Sequence, residues 1–252
     1  LFQLVRRGIP AAFRGAVWYE MSGARARRAL YPENYYERLC AFRAPSGVMR
    51  AIRKDVDRTF PGHPKIDSPR GRRALEQLLG AVALHVPDVG YCQSLNFVAG
   101  VLLLLLDEEE AFWVLDVLLN EILPPTYYGN ALLGAHADQH VLLQLVEQRL
   151  SAVAQAVRNT AGVSLEMVCT EWFLTLFATS LPMHTALRVW DLVFLLGSEP
   201  LFRVALALLA RRGRALAASS GDMAKMFETL TGLAADMHEE DALIQAAFPP
   251  SK

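Results

Sequence analysis

Cysteine is scarce in this chain of 252 residues: Cys40, Cys92 and Cys169 are odd in number, widely spaced and never in a C-x-x-C pair. That excludes a disulfide framework and the usual zinc-site spacings, and it fits a reducing, cytosolic setting. An excess of one charge is also missing. A formal net charge of -1 lacks the basic surplus that a general nucleic-acid binder carries. Long hydrophobic runs are absent too. The longest, Phe97 to Leu106, has 10 residues and stops at Asp107-Glu108-Glu109-Glu110, whereas a membrane span takes about 20. It reads as a buried core helix, and no transmembrane segment is expected. No charged-then-apolar leader opens the chain, and Leu1 is not an initiator methionine, so the sequence reads as a domain of a longer protein. Neither a repeat with a period of 20–50 residues nor a low-complexity segment is found, which disfavours a solenoid.

What is present is helical. Strands would show as short alternating runs rich in β-branched residues, but here long Leu/Ala-rich segments are punctuated by Pro and Gly. Leu75, Leu78, Leu79, Val82 and Val86 form one stripe at helical spacing within 74–86, and Val141 to Leu150 is a further apolar-faced segment. Helices are also expected over about 11–21, 47–58, 94–106, 109–120, 164–178, 184–196 and 200–217. The length suffices for one large domain or two packed subdomains. Pro124-Pro125, followed by Tyr127-Tyr128-Gly129-Asn130, is the strongest internal break, because two prolines and a Gly-Asn step cannot continue a helix. The expectation is an all-α fold of many short helices in two halves, 1–125 and 126–252.

Two segments combine residues suited to chemistry. In Ile52-Arg53-Lys54-Asp55-Val56-Asp57-Arg58, Val48, Ile52 and Val56 share a helix face, with Asp55 at its edge and Arg58 one turn on. Pro61-Gly62 then stops the helix. Arg58 is thus a permanently charged side chain beside a turn, with Asp55 at i−3 to hold it. On spacing alone, the pair reads first as a surface ion pair contributing under about 1 kcal/mol, with a favourable cation at a helix C-terminus. In Gly90-Tyr91-Cys92-Gln93-Ser94-Leu95-Asn96, Pro87 and Gly90 make a turn that leaves Gln93 near the start of the next helix. Free N–H groups and the positive dipole end there favour a phosphate-like anion. A glutamine so placed can position water or donate to an oxyanion, and the Asn96 amide one turn on can orient an arginine or cap a carbonyl. Gln93 and Asn96 read equally as satisfied polar groups at a helix start.

Taken together, I-x-x-D-x-x-R (Asp55, Arg58) and G-Y-C-Q (Tyr91, Gln93) resemble the signature pair of TBC-domain Rab GTPase-activating proteins. Arg7-Gly8-Ile9-Pro10, Arg14-Gly15-Ala16-Val17-Trp18 and Ser22-Gly23 are similar to that family's first motif. Trp172 to Phe177, Leu181-Pro182 and Arg188-Val189-Trp190-Asp191-Leu192-Val193-Phe194 are similar to its distal motifs. Two departures stand out: Ser94 where many members have glycine, and Leu95 where many have methionine. The small Ser94 is expected to keep close approach to the partner, with a shift in Rab preference.

The resemblance implies an activator of GTP hydrolysis in vesicle trafficking rather than a hydrolase in its own right. It implies that Arg58 is an arginine finger meeting the charge that builds on the transferring phosphoryl group, an effect of about 10³–10⁵ in rate in Ras-type systems. It further implies that Gln93 is a second finger that orients the attacking water. Asp55 would fix the Arg58 loop, while Tyr91 and Asn96 would shape the Gln93 turn and contact the GTPase. The partner is a Rab-family GTPase that brings GTP and Mg²⁺, so the chain itself needs no cofactor. The second half is expected to complete the GTPase groove, and regions outside this sequence to recruit the protein from the cytoplasm to endomembranes. A catalytically silent TBC-like scaffold is the rival. His136 and His140 have the i,i+4 spacing of zinc helices but lack the adjacent Glu and a third ligand, so no metal site is expected. Arg14, Trp18, Trp190 and Asp191 are assigned to architecture. The clusters at Arg25–Arg28, Arg70–Arg73 and Arg211–Arg214 read as solvated faces.

Overall fold

The structure, a computed structural model, describes residues 1–129 and 131–249. Asn130 of the expected turn and residues 250–252 of the second half therefore lie outside the described residues. Among the described residues sixteen α-helices follow one another. They are α1 (Phe2–Arg7), α2 (Ala11–Met21), α3 (Ala24–Arg28), α4 (Tyr35–Ala41), α5 (Ser46–Val56), α6 (Pro69–His85), α7 (Leu95–Leu105) and α8 (Glu108–Val117), which runs into a π-helical turn (Leu118–Ile122). Then come α9 (Leu133–Arg149), α10 (Ser151–Arg158), α11 (Glu166–Leu174), α12 (Met183–Leu196), α13 (Glu199–Arg211), α14 (Gly213–Ala218), α15 (Met223–Ala235) and α16 (Glu240–Ala247). No strand occurs among the described residues.

Capping chemistry fixes several starts. The Ser68 hydroxyl accepts from the Gly71 N–H at 3.0 Å, with Pro69 in the first helical position of α6. The Asp107 carboxylate accepts from the Glu110 N–H at 2.8 Å at the head of α8, whose first turn is Glu108-Glu109-Glu110. These side chains satisfy amides that a helix start leaves unpaired, and the carboxylates complement its dipole.

The chain divides into two compact units, Ile9–Gly134 and Leu1–Gly8 with Ala135–Lys252. The Pro124-Pro125 break lies inside the first unit because the chain after it folds back. Tyr127 and Tyr128 are 2% and 1% exposed, and a Cβ on Gly134 would stand 2.8 Å from the Pro125 carbonyl oxygen. In the first unit α6 is central, packing on α4, α5, α7 and α8. Leu75, Leu78, Leu79 and Val82 of the expected stripe are buried, as are Val98, Val101 and Leu102 of the apolar run.

In the second unit α13 packs on α11, α12, α14, α15 and α16, and α1 packs on α12. Arg188 explains why residues 1–8 belong here. Its guanidinium is nearly buried and donates to the Arg6 carbonyl at 2.9 Å and to Asp241 at 2.8 Å. Gly8, at φ 107°, makes room for it, since a Cβ there would lie 2.3 Å from Arg188 Nη1.

The arginine cluster at 25–28 is not a purely solvated face. Arg27 donates to the fully buried Asp116 at 2.7 Å, and His85 approaches the same carboxylate at 3.1 Å. Burial alone would raise the Asp116 pKa, but hydrogen bonds from His85 and Arg27 hold it below the usual carboxylate range.

Candidate functional site

The sequence places Asp55 in the last turn of α5 and Arg58 just beyond it, where the Arg58 N–H still bonds the Asp55 carbonyl at 3.1 Å. Both Nε and Nη2 of Arg58 lie 2.9 Å from Asp55 Oδ1. Asp55 is buried, whereas the Arg58 side chain is 47% exposed. One edge of the guanidinium is therefore tethered, and the remaining donors stay available to an anion.

The other oxygen of Asp55 links this segment to the second motif. Tyr91 donates its hydroxyl to Asp55 Oδ2 at 2.6 Å. Burial first, and the bond to Asp55 second, push the Tyr91 pKa well above its ordinary value, so the phenol remains a donor. The Cys92 thiol is also pushed up, by burial and then by the charge of Asp55.

A second chain of bonds runs beneath the first. Asn96 is fully buried at the start of α7, and its amide donates to the Thr59 hydroxyl at 2.8 Å, which in turn donates to the Asp55 carbonyl at 2.7 Å. The Asn96 side-chain carbonyl accepts from the Ser94 N–H at 3.2 Å. Asn96 thus shapes the turn from inside rather than presenting its amide outward. Gln93 sits in the turn before α7 with an exposed side chain. Its neighbours on both sides, Tyr91 and Ser94, are tied to the segment that carries Arg58.

Three contributors escaped the sequence reading. Thr59 is 2% exposed; its signal was a hydroxyl four residues after Asp55, the spacing at which threonine bonds back to a carbonyl. Phe60, at φ 45°, stacks edge-on against Phe97 with centroids 5.7 Å apart. Gly100 allows this approach, because a Cβ there would meet Phe60 at 2.9 Å and Thr59 at 3.2 Å. Ser94 adopts φ 93°, ψ −27°, a left-handed conformation that favours glycine. The glycine common at this position is thus explained by the backbone.

Of the first motif Ile9, Arg14, Gly15 and Trp18 are buried while Arg7, Pro10 and Ala16 are exposed, and the distal motif is buried around Trp172 to Phe177 and Arg188 to Phe194. Trp18 is fully buried, Arg14 is 8% exposed, and Trp190 donates its indole N–H to the Leu176 carbonyl at 2.8 Å.

The family model of the Rab-GTPase-TBC domain matches residues 11–216. The chain belongs to that family. Growth hormone-regulated TBC protein 1 of Mus musculus is 40% identical over 250 residues, a match covering 90% of this TBC domain's chain and 69% of its own. The Homo sapiens protein of the same name is 41% identical over 233 residues, covering 90% and 68%. The chain thus spans about two thirds of the length of these relatives. Among solved structures, the Chlamydomonas flagellar RabGAP TBC domain is 33% identical with a TM-score of 0.88, across 98% of this chain and 83% of that one. The Ypt/Rab-GAP domain of Gyp1p, at 19% identity, shares the fold with a TM-score of 0.81 across 98% of this chain and 90% of that one. This TBC domain is all-α, as expected, and no helix among its described residues is long and apolar enough to cross a membrane.

Proposed function

We propose that this TBC domain accelerates GTP hydrolysis by a Rab-family GTPase, inserting Arg58 and Gln93 in trans beside GTP and Mg²⁺ that the GTPase brings. The observation that carries the reading is the division of labour on Asp55. One carboxylate oxygen holds Arg58 and the other accepts from Tyr91, two residues before Gln93. The two fingers thereby share one anchor. Pre-positioned groups of this kind act on charge that develops only in the transition state, where they need no reorganisation. Arg58 would neutralise charge on the transferring phosphoryl group, and Gln93 would orient the attacking water.

Aluminium fluoride with GDP mimics the transferring group, so capture of a GDP-loaded Rab should strengthen when fluoride is added. Arg58→Ala should lose that gain and the stimulated hydrolysis while retaining GTP-Rab binding within a few-fold, and Arg58→Lys should rescue little, because an ammonium lacks the planar fork. A silent scaffold would instead bind equally with and without fluoride, and near-normal single-turnover rates for Arg58→Ala would remove Arg58 from the mechanism.

A further inference from the structure

A concave groove of about 380 Å³ opens between α4, α5 and α6, inside the first unit, lined by neither Arg58 nor Gln93. Its floor is apolar, formed by Leu39, Ala44, Met49, Gly80 and Ala81. Gly80 helps keep it open: even a bare Cβ there would stand 3.4 Å from Met49 Sδ. Phe42, at the end of α4, is 66% exposed on the rim. Apolar surface left in water is unfavourable relative to burial, so this edge stands to gain from being covered.

The rim is basic. Arg43, Arg53 and Arg73 line it against one acidic residue, Glu76. Glu76 is matched to Arg53 at 2.7 Å. Arg43 and Arg73 are exposed and have no carboxylate partner among the described residues. The surplus is local, since the chain as a whole carries a net charge of -1.

We propose that this groove docks an acidic peptide segment bearing one large apolar side chain, from a partner other than the GTPase. The anchor would fill the floor between Met49 and Ala81, and flanking carboxylates would meet Arg43 and Arg73 in forked hydrogen bonds. The volume falls in the range of pockets that take one small ligand or a single anchoring side chain. A lipid surface fits less well, because the apolar atoms other than Phe42 are recessed. Cys40 lines the same groove as a free thiol, which provides a reporter inside the site.

The test is fluorescence anisotropy of the 252-residue chain with a short labelled peptide in which Asp and Glu flank a single Phe. Three comparisons accompany it: the peptide with Phe replaced by Ala, the peptide with its acids replaced by Asn and Gln, and vesicles of phosphatidylserine and phosphatidylcholine. The acidic Phe peptide should bind, slow alkylation of Cys40, and weaken by about tenfold or more on either peptide change or in the Arg43→Glu/Arg73→Glu chain. A Met49→Ala chain with its charges intact should also bind more weakly, which separates the floor from the rim. Equal binding by the charge-reversed chain, unchanged Cys40 alkylation, or vesicle binding without peptide binding would overturn the proposal.

Discussion

At the scale of single residues, the site depends on side chains whose partners come from another segment. Asp55 was legible as the holder of Arg58 because i,i+3 spacing on a helix brings the two together. Its second bond, to Tyr91, was not, since nothing in the sequence fixes how residues 55 and 91 meet. Ser94 offers a direct check on the backbone. A non-glycine residue in the left-handed region costs about 1–2 kcal/mol, and glycine forfeits about 0.5–1 kcal/mol of that relief through chain entropy. Ser94→Gly should therefore raise stability by roughly 0.5–1 kcal/mol, measured by urea unfolding. A loss of stability would show that the turn at residue 94 does not have this conformation.

At the scale of elements, the helices of the middle of the chain could be read from spacing, whereas α1, α3, α4, α10, α15 and α16 were not expected, and two expected segments differ for local reasons. The expected helix over 200–217 is two, α13 and α14, because Arg212 at φ −98°, ψ 9° breaks the run ahead of Gly213. The expected helix over 164–178 ends at Leu174 because Leu176 and Phe177 take φ of 50° and 64°. That distortion turns the Leu176 carbonyl onto the Trp190 indole N–H of α12, a long-range bond that periodicity does not report. Trp190 is 1% exposed, so Trp190→Ala should cost about 3–5 kcal/mol. Thermal unfolding should show a Tm lower by roughly 6–20 °C, using about 2–4 °C per kcal/mol for a chain of this size. An unchanged Tm with slower stimulated hydrolysis would move Trp190 from architecture to function.

At the scale of the molecule, the family was legible because its motifs span residues 7–194 in order, and the family model matches most of that stretch. The composition of the two units was not. Arg188 draws residues 1–8 to the second unit through a bond to Arg6, 182 residues away in sequence. The candidate site lies entirely in the first unit, where α5 and α7 bring Arg58, Asn96 and the turn carrying Gln93 onto one network. The central claim is that both catalytic side chains come from this chain. It is tested most directly by single-turnover GTP hydrolysis with saturating domain, using a Rab whose own switch glutamine is replaced by alanine. With Rab binding verified and the unstimulated rate subtracted, the unaltered chain should retain much of its stimulation on that Rab, and Gln93→Ala should lose most of it even on the unmodified Rab. Complete loss of stimulation on the altered Rab, together with full activity of Gln93→Ala, would contradict the account.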